Sequence, residues 1–180
     1  MSETAGALLD SSVTYAGNGT SGTLTVVGDS IDNAYTLTAT TSAGMIVALA
    51  IQDGNGQVAS PGAPCSQTTA AMVTCMADGT HALTSVTIAG GDGEDRLSTA
   101  SLPIGFPTTF NGENGDDRLD ANGEEDIFNG GAGYDLVSYD ALVGPANVSA
   151  NGVANDGEPG ETDNIGTEWR RSSVAMVQTS

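Results

Sequence analysis

The fold is decided by Gly112-Glu113-Asn114-Gly115-Asp116-Asp117-Arg118-Leu119-Asp120-Ala121-Asn122-Gly123-Glu124-Glu125-Asp126-Ile127-Phe128-Asn129-Gly130-Gly131-Ala132-Gly133-Tyr134-Asp135-Leu136-Val137. Asp117, Asp126 and Asp135 recur at intervals of 9, and two places after each stands an apolar residue, Leu119, Phe128 or Val137. Upstream, Gly90-Gly91-Asp92-Gly93-Glu94-Asp95-Arg96-Leu97 carries the same pattern with its aspartate 22 residues before Asp117. The shared form is G-G-x-G-x-D-x-U, with U apolar. A fixed register carrying both an acid and a core residue is the mark of a stacked repeat, since ordinary solvated turns or a disordered acidic linker would not hold the apolar place.

Nine residues make a six-residue turn and a three-residue strand, so consecutive repeats alternate between two edges of a flattened coil. Repeats 18 apart then stack on one edge, which places 112–117 beside 130–135. The 90–95 turn joins that edge if Ser98 to Phe110, with Pro103 and Pro107, forms the enlarged far side of one 22-residue coil. Glycines at the first, second and fourth places permit positive φ and aim carbonyls at a common point. The aspartate adds a carboxylate. Calcium takes six to eight oxygens at about 2.3–2.6 Å, more than one turn supplies but within reach of two. The candidate metal residues are Gly90, Asp92, Gly93 and Asp95; Gly112, Asn114, Gly115 and Asp117; Asp126; and Gly130, Ala132, Gly133 and Asp135. The expectation is about two calcium ions between three turns, with Leu119, Phe128 and Val137 pointing inward.

These residues resemble the repeats-in-toxin, or haemolysin-type, calcium-binding proteins. The match is full at 90–95 and 130–135, partial at 112–117, where Glu113 replaces a glycine, and weakest at 121–126, where Ala121 and Glu124 do. Val137 through Gly166 and the Cys65 to Cys75 stretch also resemble secreted actinobacterial-type members, so the likeness covers roughly residues 60–166, only the nonapeptides being specific. It implies a parallel β-roll binding calcium between glycine-rich turns, serving as a calcium-dependent folding module.

Before residue 90 the chain is rich in Thr, Val, Ala and Ser, and short alternating runs such as Tyr35-Thr36-Leu37-Thr38-Ala39 are separated by Gly17-Asn18-Gly19, Gly28-Asp29 and Asp53-Gly54-Asn55-Gly56. Runs starting at Val13, Leu24, Tyr35 and Ile46 lie 11 apart, compatible with two strands and two turns per 22-residue coil. Cys65 and Cys75, with one histidine in the chain, cannot complete a zinc tetrad, which leaves a pair of buried thiols or, by preference, a disulfide of an oxidising compartment. Asp156, Glu158, Glu161 and Asp163 form either a further calcium site or a solvated acidic loop. Trp169, with Arg170 and Arg171, caps the coil end or offers a small binding spot, and His81 is structural.

Charge excludes partners. Asp and Glu number 23 against 4 Lys and Arg, a formal net charge of -19, with 16 of the acids between residues 90 and 163. There is no lysine, and Arg96, Arg118, Arg170 and Arg171 make no basic patch, so no nucleic acid or anionic membrane is expected. No apolar run reaches the ~18 residues of a membrane span, and the start, Met1-Ser2-Glu3, has no leader-like charge and apolar core. No G-x-S-x-G, H-E-x-x-H or phosphate-binding loop occurs, and an EF-hand would need flanking helices. A polysaccharide-active hydrolase or lyase, or a glycan-binding protein, remains the alternative because paired carboxylates suffice for it. Against it, aromatics are only 4% and the acids fall on the turn register.

The expectation is an all-β, right-handed parallel β-solenoid: irregular coils over 1–89 with the Cys65 to Cys75 loop, a calcium-binding β-roll over 90–140, and an acidic loop-rich cap and tail over 141–180. The function expected is that of a secreted, monomeric, calcium-stabilised structural or adhesion module whose further partner is a cell surface or glycan.

Overall fold

A computed structural model describes residues 11–18, 21–43, 45–56, 58–59, 63–77, 81–102, 106–120, 125–139, 146–157 and 159–167. Among them every regular element is a strand: β1 Ser11–Gly17, β2 Gly22–Val27, β3 Ala34–Ser42, β4 Met45–Asp53, β5 Val58–Ala59, β6 Cys65–Thr69, β7 Met72–Met76, β8 Ser85–Asp92, β9 Arg96–Ser101, β10 Thr108–Asn114, β11 Arg118–Asp120, β12 Ile127–Ala132, β13 Leu136–Ser138 and β14 Asn164–Ile165. The chain is all-β. The strands form two sheets of seven, ordered β14-β12-β10-β8-β2-β1-β5 and β13-β11-β9-β3-β4-β7-β6.

Alternation explains how a chain with few aromatics closes a core. Leu24, Val26, Val86, Ile88, Phe110, Phe128 and Ile165 from the first sheet meet Tyr35, Leu37, Leu49, Ile51, Leu97, Leu119 and Val137 from the second in one buried cluster. Each apolar residue two places after a repeat aspartate is buried as expected. Because stacked coils repeat their register, Phe110 and Phe128 lie face to face, with centroids 5.0 Å apart and planes at 6°. Tyr139 packs edge-on against Phe128.

From residue 85 the ladders are parallel. Asn111 pairs with Ala89 and with Asn129, Leu119 with Leu97 and with Val137, so the coils step by the 22 and 18 residues read from the sequence. Before residue 77 the parallel expectation fails for every pair of strands but β1 with β5. β1 with β2, β3 with β4, β4 with β7 and β6 with β7 are antiparallel. For consecutive strands the reason is connection length: Ala43 and one neighbour join β3 to β4, and Ala70 and Ala71 join β6 to β7, whereas a parallel return needs a dozen or more residues. The 11-residue spacing is therefore one strand plus one turn, not half a coil. The halves are continuous nonetheless, because β2 pairs in parallel with β8 and β3 with β9.

Cys65 and Cys75 face each other across β6 and β7 and are disulfide-bonded. This hairpin is at the outer edge of its sheet, with β4 and β3 between it and β9. It is therefore not beside the repeats. His81 packs edge-on against Tyr15. Trp169, Arg170 and Arg171 lie outside the described residues.

Candidate metal centre

The turns 90–95, 112–117 and 130–135 each carry the chain from the first sheet to the second and stack on one edge. Positive φ is found at Gly91, Gly93, Gly115, Gly131 and Gly133, and at Glu113 (78°), which holds the same backbone in place of glycine. The glycines are also demanded by the stacking. A methyl group on Gly115 would lie 1.7 Å from Gly93 O, and one on Gly133 1.9 Å from Gly115 O.

The sixth-place aspartates form a ladder. Asp95 N donates to Asp117 Oδ1 at 2.9 Å, and Asp117 N to Asp135 Oδ1 at 3.1 Å. All three are buried, yet Asp95 Oδ2 and Asp117 Oδ2 accept no hydrogen bond. These orphan oxygens share their space with a carbonyl of the next turn. A methyl group on Gly90 would sit 2.2 Å from Asp95 Oδ2 and 2.8 Å from Gly112 O; one on Gly112 would sit 2.3 Å from both Asp117 Oδ2 and Gly130 O. The strand register passes over Gly112, pairing Asn111 and Glu113 on both sides of it. Two acceptors facing one dry space repel unless a cation lies between them.

Burial is the main cause of the unusual acidity here. It pushes Asp95 up to about 6 and Asp117 up to about 7, opposed by the backbone N–H bonds to each and reinforced by neighbouring carboxylates. Asp135 is raised for the same reason. Asp92, Glu94 and Asp116, at the third and fifth places, are exposed. Asp116 Oδ1 accepts Tyr134 N at 2.8 Å, and Asn114 Nδ2 donates to Asp92 Oδ1 at 2.7 Å, so these side chains bridge turns on the outside. The third-place carbonyls of Asn114 and Ala132 accept N–H groups from Gly93 and Gly115, which leaves each one lone pair.

Among the described residues, no three His, Cys, Asp or Glu side chains form a group that could hold a metal ion. A carbonyl-lined site needs none, for each turn brings one inward carboxylate and draws its other oxygens from the main chain. The stack also selects for size. Paired strands lie ~4.8 Å apart, so an ion midway between two turns is at least ~2.4 Å from oxygens in either layer. That suits calcium at ~2.3–2.6 Å and is too long for magnesium at ~2.0–2.1 Å.

Asp126 falls on the opposite edge. Its Oδ1 accepts Thr108 N, and its own N–H donates to Asp163 Oδ1 at 2.8 Å. Asp163 Oδ2 accepts the Tyr139 hydroxyl, and burial pushes Asp163 up to about 7. Asp156 is buried too, accepting Ser149 N, Ser149 Oγ and Ile165 N. A solvated acidic loop is thus not what Asp156 and Asp163 form; Glu161 is half-buried, and Glu158 lies outside the described residues.

Residues 107–137 match the family model of the RTX calcium-binding nonapeptide repeat (4 copies). Comparison with curated proteins and with solved structures gives no match. The matched segment holds the 112–117 and 130–135 turns, and the 90–95 turn precedes it on the same edge.

Proposed function

We propose that this chain, which carries RTX-type calcium-binding nonapeptide repeats, holds about two calcium ions, one in each gap between the turns 90–95, 112–117 and 130–135. Asp95 and Asp117 supply the carboxylates that face the two gaps, Asp135 borders the second, and Asp92, Gly93, Gly112, Asn114, Gly115, Gly130, Ala132 and Gly133 supply carbonyls, whereas Gly90 O accepts the Asn33 amide instead. The observation that carries this reading is the pair of buried, partnerless oxygens, Asp95 Oδ2 and Asp117 Oδ2, each beside a carbonyl of the next turn. Asp126 stands outside this set, on the other edge.

The parallel half, about residues 90–140, acts as a right-handed β-roll that calcium ties together; residues 1–89 and 141–180 flank it as a hairpin region and an acidic cap. The chain works outside the cell as a monomeric structural or adhesion module, presenting a rigid surface to a cell-surface or glycan partner, and is not an enzyme. In support, the Cys65 to Cys75 disulfide suits an oxidising compartment. No helix among the described residues is long and apolar enough to cross a membrane.

Isothermal titration of Asp117→Asn should show the site between 112–117 and 130–135 weakened by about tenfold or more, because Asp117 Oδ2 faces that gap and its charge is lost there. Asp116→Asn removes the same charge one residue away, on the exposed side, where salt screens it over ~8 Å. Equal weakening by the two substitutions at physiological salt would mean a diffuse negative cloud and no stacked-turn site.

A further inference from the structure

We infer that the calcium edge has a fourth rung, residues 28–33, in which the side-chain amide of Asn33 stands in the place of the cation. This rests on the calcium reading above and concerns a gap that reading leaves out. Gly28-Asp29-Ser30-Ile31-Asp32-Asn33 joins β2 to β3 and stacks directly on 90–95. The register runs through it without a break, since Val27 pairs with Ala89 before the turn and Ala34 with Arg96 after it. Asn33 therefore holds the sixth place, and Asn33 N donates to Asp95 Oδ1 at 2.7 Å, continuing the aspartate ladder.

The three gaps of the edge share one geometry and differ in one group. A methyl group at the first-place glycine would meet the next turn's first carbonyl and its own turn's sixth side chain in each case: Gly112 O and Asp95 Oδ2 at Gly90, Gly130 O and Asp117 Oδ2 at Gly112, Gly90 O and Asn33 Nδ2 at Gly28. In two gaps both groups are acceptors. In the third the side chain is a donor. Asn33 Nδ2 reaches Ile31 O at 2.7 Å, Gly90 O at 3.2 Å, and Asp29 Oδ1 and Asp95 Oδ1 at 3.4 Å. Four oxygens gathered round one nitrogen resemble part of a calcium shell, with the N–H dipoles supplying the positive end. The amide is oriented from behind, because Asn33 Oδ1 accepts the hydroxyls of Ser11 at 3.0 Å and Tyr35 at 3.2 Å. Asn33 is 1% exposed, so water does not compete.

The amide thus closes the metal stack where the parallel coils meet the antiparallel strands, and it joins the two without an ion. Restoring the carboxylate should open the gap to metal. The test is calcium titration by calorimetry, with circular dichroism to report folding, on the full chain and its Asn33→Asp variant. The expected stoichiometry is two ions in the wild type and three in the variant. A wild type that binds none defeats the calcium reading itself. Two ions in both proteins overturns the fourth rung alone, as does a variant that stays unfolded in saturating calcium. Independently of metal stoichiometry, the Asn33 side-chain amide protons of the folded wild type should exchange with deuterium at least a hundredfold more slowly than those of an exposed asparagine; exchange at the exposed rate also overturns it.

Discussion

At the scale of single residues, the sixth place of each turn controls the chemistry. An aspartate there is buried, holds the preceding turn through Oδ1 and leaves Oδ2 for an ion; an asparagine fills the gap itself. The aspartates were legible in the sequence because their spacing is fixed. Asn33 was not, since its turn lacks glycine at the second and fourth places and lies 62 residues upstream, a distance that only the β2–β8 and β3–β9 pairings reveal. Burial also dictates a pH response. Between about pH 4 and pH 7 the folded metal-free chain retains protons on Asp95 and Asp117 that the unfolded chain has released, so its stability falls as pH rises through that window. Calcium must displace those protons, so its affinity changes in the opposite sense. Titrations at pH 5.5 and 7.5 should differ by about tenfold or more, with tighter binding at the higher pH. The same affinity at both would mean that these carboxylates are not the ligands.

At the scale of elements, the nonapeptide period fixed coils and core together, because one register sets both the turn and the inward residues Leu119, Phe128 and Val137. The 11-residue spacing upstream carried no such constraint. Alternation marks a strand but not the direction of its neighbour, which the two-residue connections settle as hairpins. Position in the sheet then separates the disulfide from the metal. The β6–β7 hairpin is tied by Cys65 and Cys75 at the edge away from the repeats. For a loop of this size the cross-link contributes just under ~3 kcal/mol, or roughly 5–10 °C in a chain this long. Reduction under mild conditions should lower the melting temperature by that amount and leave calcium stoichiometry untouched. Loss of a calcium ion on reduction would show that the hairpin and the turns are coupled in a way their separation argues against.

At the scale of the whole molecule, a net charge of -19 and a core with few aromatics make the metal-free fold marginal. Two ions would reduce the formal charge to about -15 and cross-link three turns that otherwise hold like charges together. A ligand that binds only the folded state stabilises it by RT ln(1 + [L]/Kd), so with Kd of ~10⁻⁴ to 10⁻³ M, 10 mM calcium should add about 1.5–3 kcal/mol per site. The most direct test is a thermal melt of the full chain in 10 mM calcium, in 10 mM magnesium and in chelator. The melting temperature should rise by roughly 5–20 °C in calcium relative to chelator, and by much less in magnesium, whose short bonds cannot span two layers. Equal melting temperatures in calcium and in chelator would contradict the account.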